Sequence, residues 1–186
     1  TDQDEFDKFY LRTTNPLLAE RWSDGYRGIY RCNTILDRIV AVPMDETLKT
    51  RIIGEAKFLR ALMYFNLVRV FGGVPIVLKE ISDTNEGYSY GRSSVAEVYS
   101  QIIKDLSEAE LSLPANYSGT NVGRASSGAA KSLLGKVYLT RKLFPEAAAK
   151  LKEVIDMENL GTYTLLPSYA DVFRTVNKNG KESVFS

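Results

Sequence analysis

The stretch Gly54-Glu55-Ala56-Lys57-Phe58-Leu59-Arg60-Ala61-Leu62-Met63-Tyr64-Phe65, continued by Phe71-Gly72-Gly73-Val74-Pro75, decides the fold. Across residues 45–71 apolar side chains recur at Leu48, Ile52, Ala56, Leu59, Met63, Leu67 and Val70, the spacing of one helix face. Phe58, Ala61, Leu62 and Phe65 widen that stripe, so the helix is expected to be buried on more than one side. Asp45 is placed to cap its N-terminus. Gly72-Gly73 supply a left-handed stop, and Pro75 follows it. Residues 74–78 read as a short extended run.

Working toward the N-terminus, residues 16–42 form a second periodic segment. Its stripe is Leu18, Trp22, Tyr26, Ile29, Asn33, Leu36 and Val40. Pro16 suits a first helical turn and Pro43 ends the run. Trp22 falls on the stripe and is expected in the core. Asn33 also falls on it and needs a partner if buried. Residues 1–15 are polar, with Phe6, Phe9 and Tyr10 among them, and read as a loop or a short helical turn.

Working toward the C-terminus, residues 79–93 read as a loop. Ser94-Val95-Ala96-Glu97 then forms a capping box, and a helix runs to about residue 113 with Val95, Val98, Tyr99, Ile102, Leu106 and Ala109 inward. A second polar loop covers 114–124. Helices over 127–141 and 145–158 follow, the second opened by Pro145 and ended by Asn159 and Gly161. In these, Ala130, Leu133, Leu134, Val137 and Tyr138, then Ala147, Ala148, Leu151, Val154 and Ile155, are expected inward. The remainder is turn-rich, anchored by Tyr163, Leu165, Tyr169 and Phe173, and residues 183–186 resemble the start of a strand.

Leu134, Gly135, Tyr138, Phe144, Ala147 and Leu151 match a tetratricopeptide repeat in residue type and spacing. Gly135 and Ala147 permit close approach of two antiparallel helices, and the larger side chains fill the space around that contact. Ala61-Leu62-Met63-Tyr64 resembles the first helix of another unit, interrupted by 74–93. A repeat buries its face only against neighbours. The expected fold is therefore all-α: tetratricopeptide-like hairpins in a short α-solenoid of about five main helices, with long inserted loops and a short strand or two, forming one domain over 1–186.

The 186 residues carry 24 Lys and Arg against 23 Asp and Glu, a formal net charge of +1, so no overall field exists to attract nucleic acid. The sequence has no histidine, which excludes Ser-His-Asp and Cys-His nucleophile systems and His-ligated zinc. Cys32 is the single cysteine, so no internal disulfide or CxxC site can form. No stretch approaches the ~20 apolar residues of a membrane span. The acidic start, TDQDEFDK, is unlike a signal peptide and lacks an initiator Met, and the chain is expected to be a piece of a longer protein.

With these residues quoted, the sequence resembles the SusD/RagB family. The 54–75 segment resembles its hallmark, and further matches follow in order. They are Trp22, Tyr26, Ile29 and Cys32-Asn33; Val98-Tyr99, Ile102, Asp105-Leu106, Ala109 and Leu113-Pro114; Gly123-Arg124-Ala125, Ala129-Ala130, Leu133-Leu134, Val137-Tyr138-Leu139 and Glu146-Ala147; and Tyr169, Phe173 and Glu182. The resemblance implies a surface lipoprotein of the bacterial outer membrane that binds a nutrient, usually a glycan. It would hand that ligand to a SusC-like TonB-dependent transporter, with the helical part as scaffold and docking face. No cofactor or metal is implied. The resemblance also implies a lipid-anchored N-terminal Cys, and Cys32, inside an expected helix, is not expected to be that anchor.

Catalytic carboxylates would have to face each other across a sugar. Asp105 with Glu108, Asp2 with Glu5, and Glu46 beside Asp45 read instead as solvated pairs, and binding without turnover is expected. The Gly119-to-Arg124 run lacks a P-loop Lys-Ser/Thr, and Asp83-Thr84-Asn85-Glu86-Gly87 only faintly resembles a calcium loop. Arg60 is expected in a buried ion pair with Glu55 or another acid. Sugar C–H faces pack on aromatic rings while amide and guanidinium groups reach the hydroxyls. Two loops offer that combination, one with Tyr10 and Asn15, the other with Tyr88, Tyr90 and Arg92. Three alternatives stay open: a helical-repeat module that binds only protein, a glycan-active enzyme, and a peptide-binding member of the same family.

Overall fold

Asp45 accepts a hydrogen bond from the Leu48 backbone N–H and opens a helix that continues to Phe71. Gly72 (φ 72°) stops it, in the backbone conformation a glycine adopts freely. The computed structural model describes residues 2–8, 10–157, 161–178 and 180–185. Phe9, Glu158, Asn159 and Ser186, all used in the sequence reading, lie outside the described residues. In chain order the α-helices are α1 (Asp4–Asp7), α2 (Pro16–Arg38), α3 (Glu46–Phe71), α4 (Thr84–Gly87), α5 (Val95–Ser112), α6 (Ser127–Thr140) and α7 (Phe144–Asp156). Five are long. The four-residue α1 and α4 sit in stretches read as loop or turn.

The long helices pack side by side in chain order, α2 on α3, α3 on α5, α5 on α6 and α6 on α7. Between α2 and α3, Trp22 meets Phe71, Gly25 meets Leu67 and Asn33 meets Arg60. Between α3 and α5, Phe65 meets Tyr99, Arg60 meets Asp105 and Gly54 meets Ser112. Early residues pair with late ones throughout, so neighbours run antiparallel. The same holds for α6 and α7, where Lys131 pairs with Glu153 and Gly135 faces Leu151. A Cβ on Gly135 would lie 2.6 Å from a Leu151 methyl, so the glycine sets that close approach. This is the tetratricopeptide-like, all-α stack that the spacing implies.

The ends follow local chemistry. Asn15 caps α2 through Leu17 N, with Pro16 in the first turn. Ser94 and Glu97 complete a reciprocal capping box on α5. Ser126 caps α6 through Ala129 N, and Pro145 lies in the first turn of α7.

Several expectations about burial are corrected. In α3 the deepest side chains include Phe58, Ala61, Tyr64, Phe65 and Leu67, whereas Leu48, Leu59 and Val70 are exposed. Contact with α2 on one side and α5 on another turns the buried arc away from a single stripe. Trp22 is 37% exposed and covers the rim of the α2–α3 seam, tilted against Tyr26 and edge-to-face with Phe71. Ile155 and Phe144 are exposed on the last hairpin. Of the four expected tail anchors, Tyr163 bonds Ser126 and covers Gly128, while Leu165, Tyr169 and Phe173 are exposed.

Among the described residues no strand forms. Residues 74–78 are extended, but side chains satisfy much of their backbone. Tyr64 OH donates to Val77 O (2.9 Å) and accepts from Val77 N (2.7 Å). Asn33 Nδ2 donates to Val77 O and Lys79 O, and Tyr26 OH donates to Pro75 O. With those groups taken, this run needs no partner strand. Residues 183–185 likewise form none; Thr164 N donates to Lys181 O within the tail, and Phe185 packs on Phe58 of α3.

Candidate functional site

The longest excursion from the stack is the segment 72–94 between α3 and α5. Its root is held by the buried centre of the molecule. Arg60 donates from Nε and Nη2 to the two carboxylate oxygens of Asp105, both at 2.8 Å. Its Nη1 donates to Asn33 Oδ1 at 2.8 Å, and the Asn33 amide then reaches Val77 O and Lys79 O. The expected acid partner of Arg60 is thus Asp105, not Glu55, and the buried Asn33 has its partners. Gln101 adds a third donor to Asp105.

Beyond the root the segment touches α2. Glu80 accepts from Arg38 at 2.8 and 2.6 Å, and from Thr34 (3.2 Å) and Tyr30 (3.4 Å), while Glu80 N donates to Asp37. The Arg38 hydrogen bonds hold the Glu80 carboxyl below its usual range. The far end returns to α3. Arg92 donates to Gly73 O (2.8 Å) and Phe71 O (2.9 Å), and Ser93 N donates to Val74 O. A Cβ on Gly73 would run into the Ser93 carbonyl oxygen, so the glycine lets the two ends meet. At the tip, Asp83 caps Asn85 N and Ser89 bonds Glu86 O. Tyr88 is 85% exposed and Tyr90 is half-buried.

The N-terminal loop is built around an acid. Glu5 accepts from Asn15 Nδ2 (2.9 Å), Arg12 N (3.1 Å) and Arg12 Nε (2.6 Å). The Asn15 hydrogen bond, followed by those from Arg12, lowers the Glu5 carboxyl to about 2. Tyr10 is 69% exposed and lines an open cavity of about 510 Å³ with Asp2, Asp4, Glu5, Lys8 and Arg12.

The five sequence candidates therefore divide. Tyr10 and Tyr88 present open rings to solvent, and Tyr90 a partly covered one. Asn15 is 2% exposed, with its amide engaged by Glu5 and Asp2 O and its oxygen by Leu17 N. Arg92 is exposed but its guanidinium closes the end of α3. Both have structural duties that the sequence did not show.

The carboxylate pairs need correcting as well. Asp105 and Glu5 are buried rather than solvated, each already bound by an arginine, and Glu108 pairs with Lys57. Burial pushes the Cys32 thiol up to about 11, which leaves it protonated and unreactive. Among the described residues no cluster of metal-binding side chains occurs, and no helix is long and apolar enough to cross a membrane.

One cluster escaped the sequence reading. Glu55 accepts from Tyr117 OH (3.0 Å) and from Arg124, beside a cavity of about 310 Å³ that Tyr163 and Lys181 also line. Burial, then the bond to Glu55, pushes the Tyr117 phenol up to about 12. Tyr117 and Arg124 lie more than sixty positions from Glu55, so only the packing of the 114–124 loop onto α3 brings them to it.

Comparison with known proteins bears on this arrangement. The sequence model of a SusD-like family, described as starch-binding and associating with the outer membrane, matches residues 6–139. The chain belongs to the SusD-like family. A SusD-like protein of Formosa agariphila, P25, is 31% identical over 175 residues, covering 91% of this chain and 32% of that protein. A crystal structure of a SusD-like protein from Bacteroides fragilis superposes with a TM-score of 0.87 at 32% identity, covering 97% of this chain and 35% of that one. A laminarin-binding SusD-like protein gives a TM-score of 0.81 at 41% identity, covering 89% and 36%. This SusD-like chain thus spans about a third of the length of the relatives it matches.

Proposed function

We propose that this SusD-like chain is the helical part of a longer outer-membrane protein that captures glycans without turning them over. The observation that carries this reading is the 41% identity and shared fold with a laminarin-binding protein, in a family described as starch-binding. The exposed rings of Tyr10 and Tyr88, with Tyr90 beside the latter, offer the apolar faces on which a sugar ring stacks. Asn15 and Arg92 enter as residues that fix those loops. A rigid stack suits capture, because groups already held in place lose little freedom on binding. The protein would sit at the cell surface through a lipid anchor outside residues 1–186. It would deliver its ligand to a SusC-like TonB-dependent transporter, with the helical stack as scaffold and docking face.

The test is calorimetric titration of the full-length protein with laminarin oligosaccharides, maltooligosaccharides and peptides, beside Tyr10→Ala and Tyr88→Ala/Tyr90→Ala. Saturable sugar binding, weakened by one of these variants, is expected. Peptide binding without sugar binding would overturn the glycan assignment.

A further inference from the structure

We propose that Glu80 and Arg92 clamp the two ends of the 80–92 segment and so hold it as a preorganised ligand arm, with Tyr88 at its open tip and the half-buried Tyr90 between the tip and Arg92. The proposal rests on the glycan-binding reading and assigns Glu80 a positioning role there.

Three observations support it. The first is the separation of duties along the segment. Asn33, Tyr64 and Tyr26 fix residues 75–79 from the buried side, so this root stays in place whatever happens further out. The second is that each clamp spans from the segment to a different long helix. Glu80 gathers Arg38, Thr34 and Tyr30 of α2, and Arg92 reaches the last carbonyl of α3, Phe71 O, and Gly73 O just past it. Arg38 is largely exposed, and neither clamp contributes to the hydrophobic core. The third is that the tip has its own hydrogen-bonded turn, through Asp83 and Ser89, yet leaves Tyr88 open to solvent. An aromatic ring on an untethered loop would lose backbone and rotamer freedom when a sugar stacked on it. Clamping both ends removes much of that loss before the ligand arrives.

The experiment uses the full-length protein, titrated with laminarin oligosaccharides and maltooligosaccharides. The variants are Tyr88→Ala/Tyr90→Ala, Glu80→Ala and Glu80→Gln, each with a melting curve and hydrogen exchange over 81–91. Glu80→Ala is expected to weaken binding about three- to tenfold, with the loss in the entropy of binding. Its melting temperature should stay near that of the parent, and exchange should rise over 81–91 alone. Glu80→Gln keeps an oxygen acceptor for Arg38, Thr34 and Tyr30 and should recover part of the affinity. A merely structural role would move the melting temperature instead. If the tyrosine variant weakens binding and Glu80→Ala binds like the parent, the clamp is overturned while the glycan reading stands. If the tyrosine variant binds like the parent, the arm is not a ligand arm and the proposal falls. Should the parent protein bind neither probe, both readings fall together.

Discussion

Arg60 lies buried in the middle of α3, bound by both carboxylate oxygens of Asp105 and by Asn33. Removing one member of such a pair leaves an uncompensated buried charge. Arg60→Ala is therefore expected to cost about 3–5 kcal/mol in urea unfolding, and Arg60→Met with Asp105→Leu to recover most of it. Glu5 gives a second prediction. Its native value near 2 lies below its ordinary 4.5, so the native state binds fewer protons than the unfolded one. The stabilisation is complete above pH 4.5, declines as pH falls, and is gone below about 2. Hydrogen exchange over residues 10–15 should rise across that window, and Glu5→Gln should flatten the dependence. At this scale the sequence was partly legible. Arg60 inside an apolar helix demanded an acid and Asn33 on an apolar stripe demanded partners, but which acid depended on α5 lying antiparallel to α3. Asn15 was legible as polar and before a proline. That its amide would be taken by Glu5 depended on the short α1 folding back, which no periodicity announces.

The helices themselves were readable because their start and stop signals are local. Asp45, Ser94 with Glu97, Pro16, Pro145 and Gly72 each act within a few positions, and each lies at or next to the end it marks. Burial was less readable, since α3 is covered from two sides and a stripe chosen for one side misplaces Leu48, Leu59 and Val70. The extended run 74–78 was read as a possible strand because hydrogen bonds from distant tyrosine and asparagine side chains leave no trace in local composition. Packing between elements sets a third prediction. Gly135→Ala gains the ~0.5–1 kcal/mol that alanine adds within a helix, but its Cβ meets Leu151, and a net loss of about 1–2 kcal/mol is expected on unfolding. Pairing it with Leu151→Ala should restore the α6–α7 contact distance. Losses that simply add would contradict that contact.

At the scale of the whole molecule, a stack of antiparallel helices carries the N-terminal loop and the 72–94 segment. The last hairpin leaves Leu139, Phe144 and Ile155 exposed, and Leu165, Tyr169 and Phe173 follow in the tail. Repeats bury such faces against further structure. Residues 1–186 alone are expected to bind a hydrophobic dye more strongly than the full-length protein, read as dye fluorescence at equal concentration. The class of fold and the family were legible because hallmark residues serve packing, and packing is periodic. The sequence marks the two loops as candidates but not the duty of each side chain, because a tyrosine that would stack on a sugar and one that caps a core look alike in sequence. The central claim is glycan capture on exposed loop tyrosines, and calorimetric titration of the full-length protein with laminarin oligosaccharides tests it most directly. The account predicts saturable binding that Tyr10→Ala or Tyr88→Ala/Tyr90→Ala weakens. Binding unchanged in both variants would contradict it.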